Sequence, residues 1–150
     1  MLKSGLNKFQ RREYFRLECI LGMQAYELDH EEALKLDGAL LEERVKDPEI
    51  LMTETKAVIV DISGGGIRFI SERKHEEGDY LAVRTQLQNE NIDQQLLVVV
   101  SIVSCRKAAP NMERYETRAE FLHLGAKLRE TIIKYIFDED RKIRKKDMGI

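Results

Sequence analysis

The pattern of apolar positions changes period twice along this chain. Residues 1–13 carry no convincing period and read as an arm. From residue 17 to about 28 the pattern is that of a strand, with Cys19 and Leu21 on one side and Glu18 and Ile20 on the other. Over residues 29–54 it turns helical. Asp29 is suited to cap a helix, with Glu32 three residues on in the form of a capping box. Leu34, Leu36, Leu40, Leu41 and Val45 then recur at roughly helical spacing until Pro48, which reads as a stop, while Gly38 argues against one unbroken helix.

Period-two patterning then returns. A β-branched run through Val58, Ile59 and Val60 predicts a second strand over 56–62, and three glycines separate it from a short return strand at 67–70. Strands follow at 80–87, at 96–105 and at 115–122, divided by turn signals at Gly78-Asp79, Asn89 to Asn91 and Pro110-Asn111. From about residue 127, Leu128, Ile132, Ile133, Tyr135, Ile136 and Ile143 follow a 3.6-residue period. The expectation is a mainly β fold: a small antiparallel six-stranded barrel with a C-terminal helix and a helical insertion between the first two strands.

Size and charge narrow the reading. With 150 residues the chain is long enough for one core and short for two. A net charge of −2 with 7% aromatic residues argues against a nucleic-acid polymer as partner. The distribution matters more than the sum: Lys3, Lys8, Arg11, Arg12 and Arg16 face a single acid, Glu13, in the first sixteen residues. Such a basic arm is either an anion contact or a solvated terminus. Residues 26–56 are acidic, and Arg141 to Lys146 are basic, where cations suit a helix C-terminus. Cys19 and Cys105 lie among apolar residues and read as core thiols in a reducing compartment, not as a disulfide. Residues 1–10 lack the apolar run of a signal peptide, and the longest apolar run, residues 96–100, falls far below the roughly 20 needed to span a membrane. No membrane insertion and a cytoplasmic location are therefore expected.

Two short stretches carry candidate chemistry. Arg11-Arg12-Glu13-Tyr14-Phe15-Arg16 contains an R-x-x-x-R pair, and Asp61-Ile62-Ser63-Gly64-Gly65-Gly66 fits D-x-S-x-x-G at the end of a predicted strand. In an extended segment Arg12 and Arg16 share a face about 13 Å apart. Arginines in such a pair suit an anion contact. Asp61, when ionised, only accepts hydrogen bonds and so suits N–H donors; Ser63 donates or accepts. Gly66, with Gly64 and Gly65, lets the backbone turn sharply and approach a ligand. Alternatively, Asp61 and Ser63 merely satisfy turn amides. His30, His75 and His123 lack partners at metal spacing, Ser63 lies in no G-x-S-x-G, and the glycine run lacks the following Lys-Ser/Thr of a P-loop. Binding, not catalysis, is expected, with neither metal nor cofactor.

Together and in this order, the two motifs resemble the PilZ family. Gly66-Ile67-Arg68-Phe69 is similar to the usual continuation of the second motif. Arg118-Ala119-Glu120-Phe121 and the terminal helix look like the end of YcgR-type flagellar brake proteins. The resemblance covers residues 11–146, leaving 1–10 as arm and 147–150 as tail. It implies a cyclic di-GMP receptor that binds through Arg12, Arg16, Asp61, Ser63 and Gly66, with Arg11, Gly64 and Gly65 as further candidates. It also implies a protein partner in motility or exopolysaccharide control, for a monomer or homodimer. The alternative is a PilZ-fold adaptor that acts without a ligand.

Two features depart from the flagellar-brake pattern. Only ten residues precede Arg11, as in a stand-alone module or a fragment. The acidic stretch 29–54 is long for a strand connection and either packs over a barrel mouth, offers a partner surface, or is a surface elaboration.

Overall fold

The computed structural model describes residues 14–149. In chain order the elements are β1 (Leu17–Leu28), α1 (His30–Lys35), α2 (Gly38–Arg44), α3 (Pro48–Leu51), β2 (Thr55–Ile62), β3 (Gly66–Ser71), β4 (Tyr80–Gln88), β5 (Asp93–Lys107), β6 (Tyr115–Leu122) and α4 (Ala126–Asp147). The six strands close into a barrel in the order β1-β2-β3-β6-β5-β4, every neighbouring pair antiparallel. Closure leaves no free sheet edge, which is how so small a sheet avoids edge-to-edge pairing.

Alternation decides what fills the barrel. Ile59 and Ile62 of β2, Ile67 and Phe69 of β3, Val83 of β4, and Val98, Val100 and Ile102 of β5 point inward and are buried. Ile132, Tyr135 and Ile136 of α4 belong to the same cluster, so the helix closes one end of the barrel. Ile143 is exposed, because α4 continues past the barrel after its apolar stripe has been used. Three cations of the basic run on that extension are paired: Arg141 with Asp138, Lys142 with Glu139 at 2.9 Å and with Glu90 at 2.8 Å, and Arg144 with Asp140 at 2.9 Å. Each of the three has an acidic partner on the helix itself, as i,i+3 and i,i+4 spacings favour.

The insertion covers the outer wall of the barrel, not a mouth. Ala33, Leu41, Val45 and Ile50 pack on Tyr26 and Leu28 of β1, Ala82 of β4 and Val99 of β5, the outward neighbours of core residues. Strands buried on both faces read as continuous apolar runs, which accounts for Val98-Val99-Val100. Three short helices replace a single one. Asp29 caps α1 by accepting the Glu32 N–H at 2.8 Å, as the sequence predicts. Gly38 opens α2 at φ +49°, a backbone that favours glycine. Pro48 corrects the expectation placed on it: it begins α3 behind the cap Asp47, at the position where a missing N–H costs nothing. Leu34 and Leu40, expected on the apolar face, are exposed, because the breaks between helices rotate successive faces.

Both cysteines are free thiols at the margin of the core, half-buried and not enclosed as expected. The Cys105 Sγ accepts the Thr117 hydroxyl at 3.3 Å and the His75 N–H at 3.4 Å.

Three ladder irregularities place the site. They lie between Glu18 and Leu21 of β1, between Ile59 and Asp61 of β2, and between Ile102 and Ser104 of β5. All three border one row of paired residues that crosses the wall: Glu18, Asp61, Arg68, Arg118, Ser104. Bulges twist a strand and re-aim its side chains, so the outer face is reshaped along this row.

Candidate functional site

The row leads to the turn between β2 and β3. There the Ser63 N–H donates to the Gly66 carbonyl at 3.0 Å, and the Ser63 Oγ accepts the N–H groups of Gly65 at 3.1 Å and Gly66 at 3.2 Å. Ser63 is therefore the organiser of the turn. The three glycines are needed for a reason other than the sharp turn expected, since none adopts the left-handed backbone. A Cβ on Gly66 would lie 2.2 Å from the Ala119 carbonyl oxygen of β6, so the close passage of β6 demands glycine. A Cβ on Gly64 would lie 2.7 Å, and on Gly65 3.2 Å, from the ring of Tyr14. Those two positions form a slot for an aromatic side chain.

Tyr14 is held on its other side by α4. The Arg129 guanidinium lies 5.5 Å from the Tyr14 ring centroid, within cation–π range, and its Nε donates to the Gly64 carbonyl at 3.1 Å. Phe15 stacks on Phe137, two turns further along the same helix, with centroids 6.0 Å apart and planes 11° from parallel. Consecutive aromatic residues thus pin the chain just before Arg16 to both barrel and helix.

Beyond the turn, Arg68 lies between two carboxylates, 3.6 Å from Asp61 and 3.3 Å from Glu116, and Arg106 reaches the same Glu116 at 3.3 Å. At 3.6 Å the Asp61–Arg68 contact is ionic without being a hydrogen bond, so Asp61 keeps acceptor capacity toward the open side. Asp61 also acts on Cys19, whose thiol is pushed up to about 12, by burial first and by the Asp61 charge second. Cys19 is therefore a neutral thiol beside the site and not a nucleophile.

Tyr14, Asp61, Ser63 and Arg68 border an open cavity of about 300 Å³. Of the residues singled out from sequence, Arg16, Asp61, Ser63, Gly65 and Gly66 all line it, although they come from separate stretches of the chain. Gly64 contributes through the Tyr14 slot. Arg11 and Arg12 lie outside the described residues. Sequence reasoning missed Tyr14, Arg68, Arg118 and Arg129. For Arg68 and Arg118 a signal was present, since each is the outward residue between two inward, buried neighbours in a predicted strand. Tyr14 and Arg129 carried none. Among the described residues no group of three or more His, Cys, Asp or Glu is placed to hold a metal, and no helix is long and apolar enough to cross a membrane.

Three solved structures share this fold with c-di-GMP or motility in view. YcgR from Escherichia coli in complex with c-di-GMP matches over 93% of this chain and 50% of its own, at TM-score 0.64 and 14% identity. The PilZ domain of the same protein with c-di-GMP matches over 94% of this chain and all of its own, at TM-score 0.61 and 17% identity. The Bacillus subtilis inhibitor of motility MotI/DgrA matches over 89% of this chain and 52% of its own, at TM-score 0.62 and 18% identity. The chain thus spans about half the length of YcgR and of MotI. At these identities the likeness establishes the fold. No curated protein matches the sequence. The family is settled by the sequence pattern over most of the chain: residues 10–138 match the PilZ domain, and this protein belongs to the PilZ domain family.

Proposed function

We propose that this chain is a cyclic di-GMP receptor module that passes the level of the second messenger to a protein partner in the control of motility. The observation that carries the reading is the convergence of Arg16 with Asp61, Ser63, Gly65 and Gly66 on one open cavity. Cyclic di-GMP presents two phosphates and two guanines, and the cavity offers a counterpart to each. The arginines suit phosphate oxygens or guanine O6 and N7. The Asp61 carboxylate accepts N–H donors of a guanine edge. The glycine turn leaves room for a base, and Ser63 keeps that turn in shape. Arg12 joins Arg16 through the R-x-x-x-R spacing. The two YcgR structures hold c-di-GMP, and MotI is an inhibitor of motility, which supports the ligand and the process.

The mechanism follows from the way residues 14–16 are attached. A ligand held by Arg16 and by the barrel shifts the population toward an arm docked on the wall and on α4, which alters the surface a partner meets. Isothermal titration with cyclic di-GMP, with GMP and cyclic di-AMP as controls, tests the reading. Selective, saturable binding is expected, and Arg12→Ala or Arg16→Ala should each weaken it about tenfold to a hundredfold with an unchanged melting midpoint. Absence of binding at high ligand concentration refutes the receptor reading and leaves the ligand-independent adaptor in its place.

A further inference from the structure

The barrel wall carries an arginine that neither motif contains. Arg118 sits on β6 directly opposite Arg68 on one side and Ser104 on the other, in the same row as Asp61. The other arginines of this wall are matched by acids: Arg68 by Asp61 and Glu116, Arg106 by Glu116. Arg118 is exposed and has no ion-pair partner among the described residues. Glu120, two residues on, lines the same cavity without pairing to it.

Its position is equally informative. A second open cleft of about 390 Å³ adjoins the first and runs toward Ser104 and Arg106. Arg16, Asp61, Arg68 and Arg118 border both clefts. Arg118 therefore stands at their junction with its charge unspent, on a strand whose backbone is locked into the ladder on both sides. An anion lying across the junction meets Arg16 from the arm and Arg118 from the wall.

We infer that Arg118 is a further ligand-binding residue of this site, taking a phosphate oxygen of the bound dinucleotide. The inference rests on the receptor reading above. It divides the binding charge in two: Arg16 belongs to the segment leading into β1, whereas Arg118 belongs to a wall strand paired on both sides. A charge-assisted arginine contact of this kind corresponds to about tenfold to a hundredfold in affinity.

The test is titration of cyclic di-GMP into wild type, Arg118→Ala, Arg118→Lys and, as a control for loss of a surface cation, Lys134→Ala. Melting midpoints measured on the same samples exclude misfolding. Arg118→Ala is expected to bind about tenfold to a hundredfold more weakly, Arg118→Lys to recover part of the loss because a phosphate answers to charge, and Lys134→Ala to match wild type. Wild-type affinity in Arg118→Ala, or an equal loss in Lys134→Ala, overturns the inference while the receptor reading stands. Arg118→Lys as weak as Arg118→Ala overturns the phosphate assignment. Wild type that binds no cyclic di-GMP overturns both readings.

Discussion

Replacing Gly66 by alanine separates two roles that the glycine motif combines. The added Cβ would meet the Ala119 carbonyl oxygen at 2.2 Å and the Glu120 Cα at 3.1 Å, both backbone atoms of β6. An ordinary carbon–oxygen contact is about 3.3 Å, so β3 and β6 would have to separate locally by about 1 Å. That movement strains the hydrogen bonds from the Ser63 N–H to the Gly66 carbonyl and from the Phe121 N–H to the Gly65 carbonyl, each 3.0 Å long. Weakening two such bonds costs about 1–3 kcal/mol, and overpacking adds about 1–3 kcal/mol, for a total of roughly 2–6 kcal/mol. At about 2–4 °C per kcal/mol for a chain of this size, the melting midpoint should fall by roughly 4–24 °C. Gly22→Ala is the matched control, with nothing within 4 Å of its Cβ and a midpoint expected within about 2 °C of wild type. Gly64→Ala meets the Tyr14 side chain first and not a strand backbone; it should spare most of the midpoint and instead weaken cyclic di-GMP binding by displacing the anchor before Arg16. Thermal unfolding followed by circular dichroism reads the stability effects and titration reads the affinity. A midpoint for Gly66→Ala equal to that of Gly22→Ala would refute the argument from close strand approach.

Two further outcomes test the scaffold. His75 is buried with its Nε2 lacking a hydrogen-bond partner among the described residues, and burial first, then the charge of Arg73, holds its pKa below the ordinary value near 6.5. The unfolded chain therefore takes up this proton first, and the His75 contribution, full above about pH 6.5, is lost as pH falls through the folded-state value. Denaturant unfolding between pH 7.5 and 5 should show a steeper loss for wild type than for His75→Gln, and parallel curves contradict the assignment. Asp29→Ala removes the cap that accepts the Glu32 N–H and should cost about 0.5–2 kcal/mol in the same assay, whereas Asp37→Ala, whose side chain caps nothing, should cost less. Equal costs for the two would contradict the capping role.

Periodicity located the strands well because in this barrel almost every strand must separate an inner from an outer face. β6 begins and ends where its alternation predicts, and β1 does the same. It failed where local signals have two meanings. Pro48 is a helix breaker in an interior and a helix starter at the first position, and only the cap at Asp47 decides between them. The same holds for Leu34 and Leu40, whose spacing fits one helix but whose faces diverge once Gly38 interrupts it. In the site, Asp61 and Ser63 were legible as polar residues at a strand end, yet their parts differ: Asp61 faces Arg68, while the Ser63 hydroxyl accepts the amides of Gly65 and Gly66.

By itself the sequence determined the strand segments, the terminal helix, the family, and the two stretches that border the cavity, because these depend on spacing along the chain. Tertiary structure alone decided which residues meet. Arg118 faces Arg68 across a ladder between strands 50 residues apart in number, and Tyr14 reaches a glycine slot and Arg129 of α4. Gly66 is required by a carbonyl of β6, its neighbour in the barrel although two strands intervene along the chain. Register and barrel closure arise from the joint burial of six inner faces, a collective condition that no local stretch of residues encodes.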